Sequence, residues 1–205
     1  MKKIFSVTAL TLAVLQLVCV LVSWIVSSVS PALPVRSLLG GEGIRWFLGS
    51  FTDNMSTPLL VWLIVGSVAY GTFVYSGLAA ALRLVVRHEP LTYRMRHALL
   101  TVVAASVVIV IAVSLLAFIP HAVLLGVTGS LLPSPFSIGF IPLLAFSVTV
   151  LSVIYGLVVG RFTDISSVFR SLYVGFYMSA PLLLIYILAV QLYASARYVL
   201  GFGLN

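Results

Sequence analysis

The sequence predicts an all-α polytopic membrane protein: about five transmembrane helices plus a short interfacial helix near residues 36–50, in a single membrane domain over residues 1–205. Three observations predict it. Hydrophobic residues make up 62% of the chain and charged residues only 7%, with a mean hydropathy of +1.25, so there is too little polar surface to cover a particle in water. The apolar residues fall in runs of about 20, the helix length that crosses a ~30 Å hydrocarbon core. The basic residues collect between those runs. Arg83, Arg87, Arg94 and Arg96, four of the eleven, share the segment from Arg83 to His97. A cation at the centre of a membrane helix costs about 2.5–3.5 kcal/mol on insertion scales, so this segment stays in water, and the bias of basic loops toward the cytoplasm sets its side.

The elements follow in order. Lys2-Lys3 opens the chain and an apolar run from Ile4 to about Val26 follows. A signal peptide shares the charged start but has a shorter apolar core, so the run is expected to be a retained first span over about 4–26. Ser27, Ser28, Pro31 and Pro34 end it. Between Arg36 and Asp53, apolar Leu38, Leu39, Ile44, Trp46, Phe47 and Leu48 alternate with Arg36, Glu42 and Arg45 around Gly40-Gly41. That mixture predicts a short helix in the outer interface, with Trp46 at headgroup depth. The Gly-Gly-Glu-Gly run lacks the Lys and Ser/Thr of a phosphate loop and reads as a turn. Asn54-Met55-Ser56 has the form of a glycosylation acceptor, a match short enough to arise by chance.

Thr57-Pro58 opens the second span, 59–82, because proline in a first helical turn forfeits no hydrogen bond. Gly66 and Gly71, with Ser67 and Ala69, form a face of small residues that admits a close neighbour. The basic segment follows, turning at Glu89-Pro90, and then a third span over 98–118, ended by Pro120. Residues 121–137 carry Gly126, Gly129, Pro133, Ser134 and Pro135 and no formal charge, which fits an outer loop or a partly re-entrant segment. His121 at its start reads as an interfacial residue or a proton-relay group. The fourth span, 138–159, has Pro142 in its first turn and ends at Gly156 and Gly160, whose spacing is that of close helix packing. A second basic loop runs from Arg161 to Arg170. The fifth span, 172–195, carries Tyr173, Tyr177, Tyr186, Tyr193, Gln191 and the kinking Pro181, and Arg197 marks its far end.

A cytoplasmic amino terminus then places Lys2, Lys3, Arg83, Arg87, Arg94, Arg96, Arg161 and Arg170 inside, and Arg36, Arg45 and Arg197 outside. Eight against three predicts an amino terminus in the cytoplasm and a carboxyl terminus outside, in the cell inner (plasma) membrane. The net charge of +7 is thus a topology signal, and no nucleic-acid partner is expected. Cys19 is the single cysteine; with neither a disulfide nor a thiolate site available, it is expected to be a small buried apolar residue. No Ser/His/Asp or Cys/His set can be assembled and the three histidines are scattered, so no enzyme activity, metal or cofactor is expected. No span carries an ionisable group at its centre, the usual mark of a coupled transport site.

Two stretches carry a resemblance. The first is Val-Arg-Ser-Leu-Leu-Gly-Gly-Glu-Gly-Ile-Arg-Trp-Phe-Leu, residues 35–48, continuing through Thr57-Pro58-Leu59 to Tyr75-Ser76-Gly77-Leu78. The second is Thr-Gly-Ser-Leu-Leu-Pro-Ser-Pro-Phe, residues 128–136, followed by Ile141-Pro142-Leu143-Leu144 and Tyr155-Gly156. In this order they resemble the aminobenzoyl-glutamate transporter (AbgT) family, over most of the chain from Val35 onward. The resemblance implies a carrier driven by a proton or sodium gradient, dimeric, moving aminobenzoyl-glutamate or related small organic anions. Members are considerably longer and use two re-entrant hairpins. The first, with a Ser-Asn-Ala-Ser-Asp-Ala-Gly-like motif, would fall between Leu78 and the basic segment, where only a few residues stand; the second would follow Asn205. No substrate- or ion-binding residue of the family therefore maps onto this sequence. Two readings follow: a shortened carrier, working as a homodimer or beside a membrane partner subunit, with Gln191, Ser179, Tyr177 and the Pro133–Pro135 loop as its polar groups; or a non-transporting scaffold or accessory subunit.

Overall fold

Apolar runs bounded by proline, glycine and charge fold here as helices, because only a helix satisfies every backbone N–H and C=O within its own segment in lipid. The computed structural model describes residues 2–30, 34–118 and 135–201, which hold eight helices and no strand. These are α1 Lys2–Val29, α2 Gly41–Gly49, α3 Phe51–Met55, α4 Pro58–Tyr75, α5 Leu78–Val86, α6 Tyr93–Phe118, α7 Pro135–Val159 and α8 Ile165–Val199. Five of them, α1, α4, α6, α7 and α8, are long and apolar enough to cross a membrane. The chain is a multi-pass membrane protein.

The helix ends differ from the sequence expectation in four places. The second span does not run on to Leu82. It stops at Tyr75, and Gly77, in the left-handed region at φ 85°, lets the chain turn before α5 begins. Hydropathy continues unbroken across this point, whereas the backbone does not. Eighteen residues of α4 span ~27 Å at 1.5 Å per residue, close to the hydrocarbon thickness, so the break belongs at the membrane edge. The third span begins at Tyr93, so that Arg94 and Arg96 lie on a helix rather than in a loop. The fourth begins at Pro135, which makes Pro142 an interior residue of α7 instead of a first-turn one. The fifth begins at Ile165, within the second basic segment, and its 35 residues exceed the about 20 that the bilayer core needs. The loop at 121–134, with the re-entrant alternative and His121, lies outside the described residues.

The expected interfacial helix is two short ones, α2 and α3, joined at Ser50. Gly40 caps α2 in extended conformation, while Gly41 and Gly43 fall inside its first turn rather than in a loop. Ile44 and Leu48 are exposed on α2. Cys19 is half-buried on α1 rather than fully enclosed. The amide nitrogen of Asn54 is buried in α3, out of reach as a glycan acceptor.

The described chain forms two compact units, one of residues 1–60 with 179–205 and one of residues 61–178, the boundaries falling inside α4 and α8. In the first unit, the ends of α1 and α8 are tied through the segment before α2. The Leu38 N–H donates to Ser23 Oγ at 3.2 Å and the Arg36 N–H to the Val199 carbonyl at 3.1 Å. Trp46 stacks on Tyr198 with ring centroids 4.3 Å apart. In the second unit, α5, α6 and α7 share a buried cluster of Leu78, Ala81, Ala98 and Tyr155, with Phe73, Leu99, Val102 and Val159 around it.

Candidate functional site

In hydrocarbon, a site must be built from polar groups that the apolar runs can carry, so hydroxyls and amides are the inventory. The described residues contain no group of three or more His, Cys, Asp or Glu side chains able to hold a metal ion. Among the described residues the polar side chains that are buried are serines, Thr72 and Gln191. Most serine and threonine hydroxyls close onto a carbonyl three or four residues back on their own helix, as Ser67 does on Leu63 at 2.6 Å and Ser147 on Leu143 at 2.8 Å. Such hydroxyls have used their proton and keep only acceptor capacity, as Ser23 shows by bonding the Val20 carbonyl and still accepting from Leu38.

The groups that reach between elements of the first unit are different. Gln16 of α1 donates from Nε2 to Ser195 Oγ of α8 at 2.9 Å, while its Oε1 is buried without a partner among the described residues. Gln191 lies one turn before Ser195 on α8 and is 6% exposed; neither its amide nitrogen nor its oxygen has a partner among the described residues. An amide so placed forfeits several kcal/mol in a hydrocarbon surrounding. A second node lies at the start of α4. The Tyr186 hydroxyl donates to the Met55 carbonyl at 2.9 Å and meets Thr57 Oγ1 at 2.5 Å. The Met55 carbonyl, at the end of α3, also accepts from the Thr57 N–H at 2.8 Å, so the hydroxyl is its second donor. Gln16, Gln191 and Ser195 thus form a polar seam between two helices, with unused donor and acceptor capacity. Tyr186 and Thr57 form a closed contact with none to spare.

The second unit is built on close approach. A Cβ on Gly71 would fall on the backbone of Gly175, and one on Gly175 would fall on the Ser67 carbonyl. The backbones of α4 and α8 therefore touch there, and Thr72 adds a long bond to the Ser171 carbonyl at 3.4 Å. Of the other glycines expected on packing faces, Gly156 lies against the Phe162 ring. Among the described residues, Gly66 and Gly160 have no atom of another element within 4 Å of where a Cβ would sit. Gly160 instead takes φ 82° and closes α7: its N–H bonds the Leu157 carbonyl at 3.0 Å and the Arg161 N–H bonds the Gly156 carbonyl at 2.8 Å, the paired pattern of a left-handed helix cap. Tyr155, 1% exposed, has a hydroxyl with no partner among the described residues, as does Ser152 one turn earlier. A groove of about 270 Å³ lies between α6 and α7, lined by Ile109, Val113, Phe140 and Leu143 with Ser106 and Ser147. Because Ser106 and Ser147 bond their own helices, it offers an apolar wall.

The residues named from sequence as polar groups for a path are thus separated in kind. Ser179 and Gln191 are buried residues of the first unit, whereas Tyr177 is an exposed residue of the second; the Pro133–Pro135 loop gives no described side chain. Two residues were missed. Gln16 was a lone amide within an apolar run, and Gly175 sits midway in Ser171-x-x-x-Gly175-x-x-x-Ser179, the small-residue spacing recognised on α4 and α7 but not on α8. Arg83 and Arg87 stand on and at the end of α5, and Arg94 and Arg96 near the start of α6, all four exposed. No family model, curated protein or solved structure matches the chain.

Proposed function

We propose that the chain is a membrane transport protein of AbgT-like descent, handling aminobenzoyl-glutamate or related small organic anions, alone as a homodimer or beside a membrane partner subunit. It is not an enzyme and uses no cofactor. It lies in the cell inner membrane with its amino terminus in the cytoplasm and its carboxyl terminus outside. The observation that carries this reading is the polar seam: an intramembrane amide, Gln191, buried with both its polar atoms unengaged. Buried amides in a bilayer are costly and find partners in a neighbouring helix or in a polar solute. The ordered sequence likeness from Val35 onward supports the same reading.

Uptake or efflux of radiolabelled aminobenzoyl-glutamate by the purified protein in proteoliposomes, under an imposed proton or sodium gradient, tests it. Gradient-dependent flux above empty vesicles, abolished by Gln191→Leu, is the expected result. Absence of flux under both gradients, with the protein folded, transfers the weight to the second reading. Cysteine labelling at Ser37, Thr92 and Ser134 tests the orientation; position 92 must resist reagent added outside intact cells.

The second reading is a non-transporting scaffold or accessory subunit. Its support is the exposure of α1 and α6: within α6 only Ala98 is buried among the described residues, which leaves a long apolar surface for lipid or for another subunit's helices.

A further inference from the structure

Arginines in this chain differ in whether their charge is already engaged. Arg36 lies over the Tyr198 ring at 5.9 Å and Arg197 over the Tyr193 ring at 5.8 Å. The segment from Arg83 to Arg96 carries four arginines and one acid. That acid, Glu89, meets only Arg87 among the described residues, at 3.9 Å and with both side chains well exposed. Arg83, Arg94 and Arg96 have no ion pair or ring contact among the described residues. Arg83 and Arg87 lie one helical turn apart on α5 and its cap, and Arg94 and Arg96 in the first turn of α6. Ala81 of α5 and Ala98 of α6 lie in the same buried cluster with Leu78 and Tyr155; Arg83 is two residues beyond Ala81, and Arg94 one turn before Ala98. Next to the cations, α5 exposes Leu82, Val85 and Val86, the last to 77%.

We propose that α5 and the start of α6 bind the headgroups of anionic phospholipids, with Arg83, Arg87, Arg94 and Arg96 meeting the phosphates and Leu82, Val85 and Val86 meeting the glycerol and upper acyl region. α5 follows an α4 that already crosses the hydrocarbon, so it lies at the membrane edge, where phosphates are. Guanidinium forks match phosphate oxygens two at a time, which a zwitterionic lipid's compensating ammonium opposes. The exposed valines and leucine decide for a lipid over a soluble phosphate, because a free anion gains nothing from them. The site holds whether the chain transports or serves as a scaffold.

The test is native mass spectrometry of the full chain in detergent, titrated with phosphatidylglycerol or with phosphatidylcholine of the same acyl chains. Phosphatidylglycerol is expected to be retained at about tenfold lower concentration, and R83Q/R87Q/R94Q/R96Q to abolish that preference. R45Q/R197Q is expected to leave it unchanged. Should the fourfold variant fail to fold, R83Q/R87Q and R94Q/R96Q each carry the test, with an expected loss of about threefold. Equal retention of the two lipids overturns the proposal. So does undiminished phosphatidylglycerol binding in both paired variants, and so does displacement of the lipid by equimolar inorganic phosphate.

Discussion

The two units of this protein solve the same problem by different means. Lipid tails are as apolar as leucine, so burying leucine gives helices no reason to associate. The first unit uses hydrogen bonds between distant parts of the chain: Gln16 to Ser195, Leu38 to Ser23, Tyr186 to Met55 and Thr57. The second uses contact of bare backbone, Gly71 on Gly175, and a small cluster of Leu78, Ala81, Ala98 and Tyr155. Hydrogen bonds tolerate change at their margins, because a lost partner is partly replaced in the unfolded helix by another. Backbone contact does not, because an added side chain has nowhere to go. The comparison therefore predicts that the second unit is brittle and the first is graded.

The largest effect is expected at Gly175. Gly175→Leu places a branched side chain on the Ser67 carbonyl and should cost about 3 kcal/mol or more, read as a collapsed unfolding midpoint in mixed micelles of detergent and SDS. Gly66→Ala, on the same helix as Gly71 but in open space, is the contrasting control. It should be neutral or stabilise by about 0.5–1 kcal/mol through helix propensity. Equal destabilisation by the two would break the account of close packing.

Left-handed positions come next. Gly77→Ala forces a Cβ into φ 85° beside Arg161 and should cost about 1–2 kcal/mol. His88 shows the same rule from the other side. It sits at φ 55°, closing α5 with the His88 and Glu89 N–H groups on the Val85 and Leu84 carbonyls. His88→Gly removes the strain and should raise stability by about 1 kcal/mol. The smallest effects belong to the first unit. Tyr186→Phe, and the Gln16→Leu with Ser195→Ala double-mutant cycle, should each report about 0.6 kcal/mol and no more than about 1.7. A coupling several times larger would place the seam among the rigid parts of the fold and sharpen the case for a site built on it.

How much was legible differs between the units for physical reasons. Small-residue spacing pointed to Gly71, and the same signal was present at Gly175; what spacing could not show was that these two face each other, since that depends on how α4 and α8 cross. Gly160 had the spacing of a packing residue but serves a turn, because spacing carries no information about φ. The seam was half visible. Gln191 stood out as a lone amide in its span, but only the fold placed Gln16 beside Ser195, 179 positions away in the chain.

The sequence by itself determined the solvent, the number of spans and the exclusion of charge from their centres. Each of these is a sum of transfer free energies along a single segment, and such sums are properties of composition. Tertiary structure alone decided where α4 breaks, which glycines touch, which hydroxyls donate to their own helices and which amides remain unused. Those depend on the backbone's dihedral angles and on what a second helix presents at the same depth, and neither is additive along a chain.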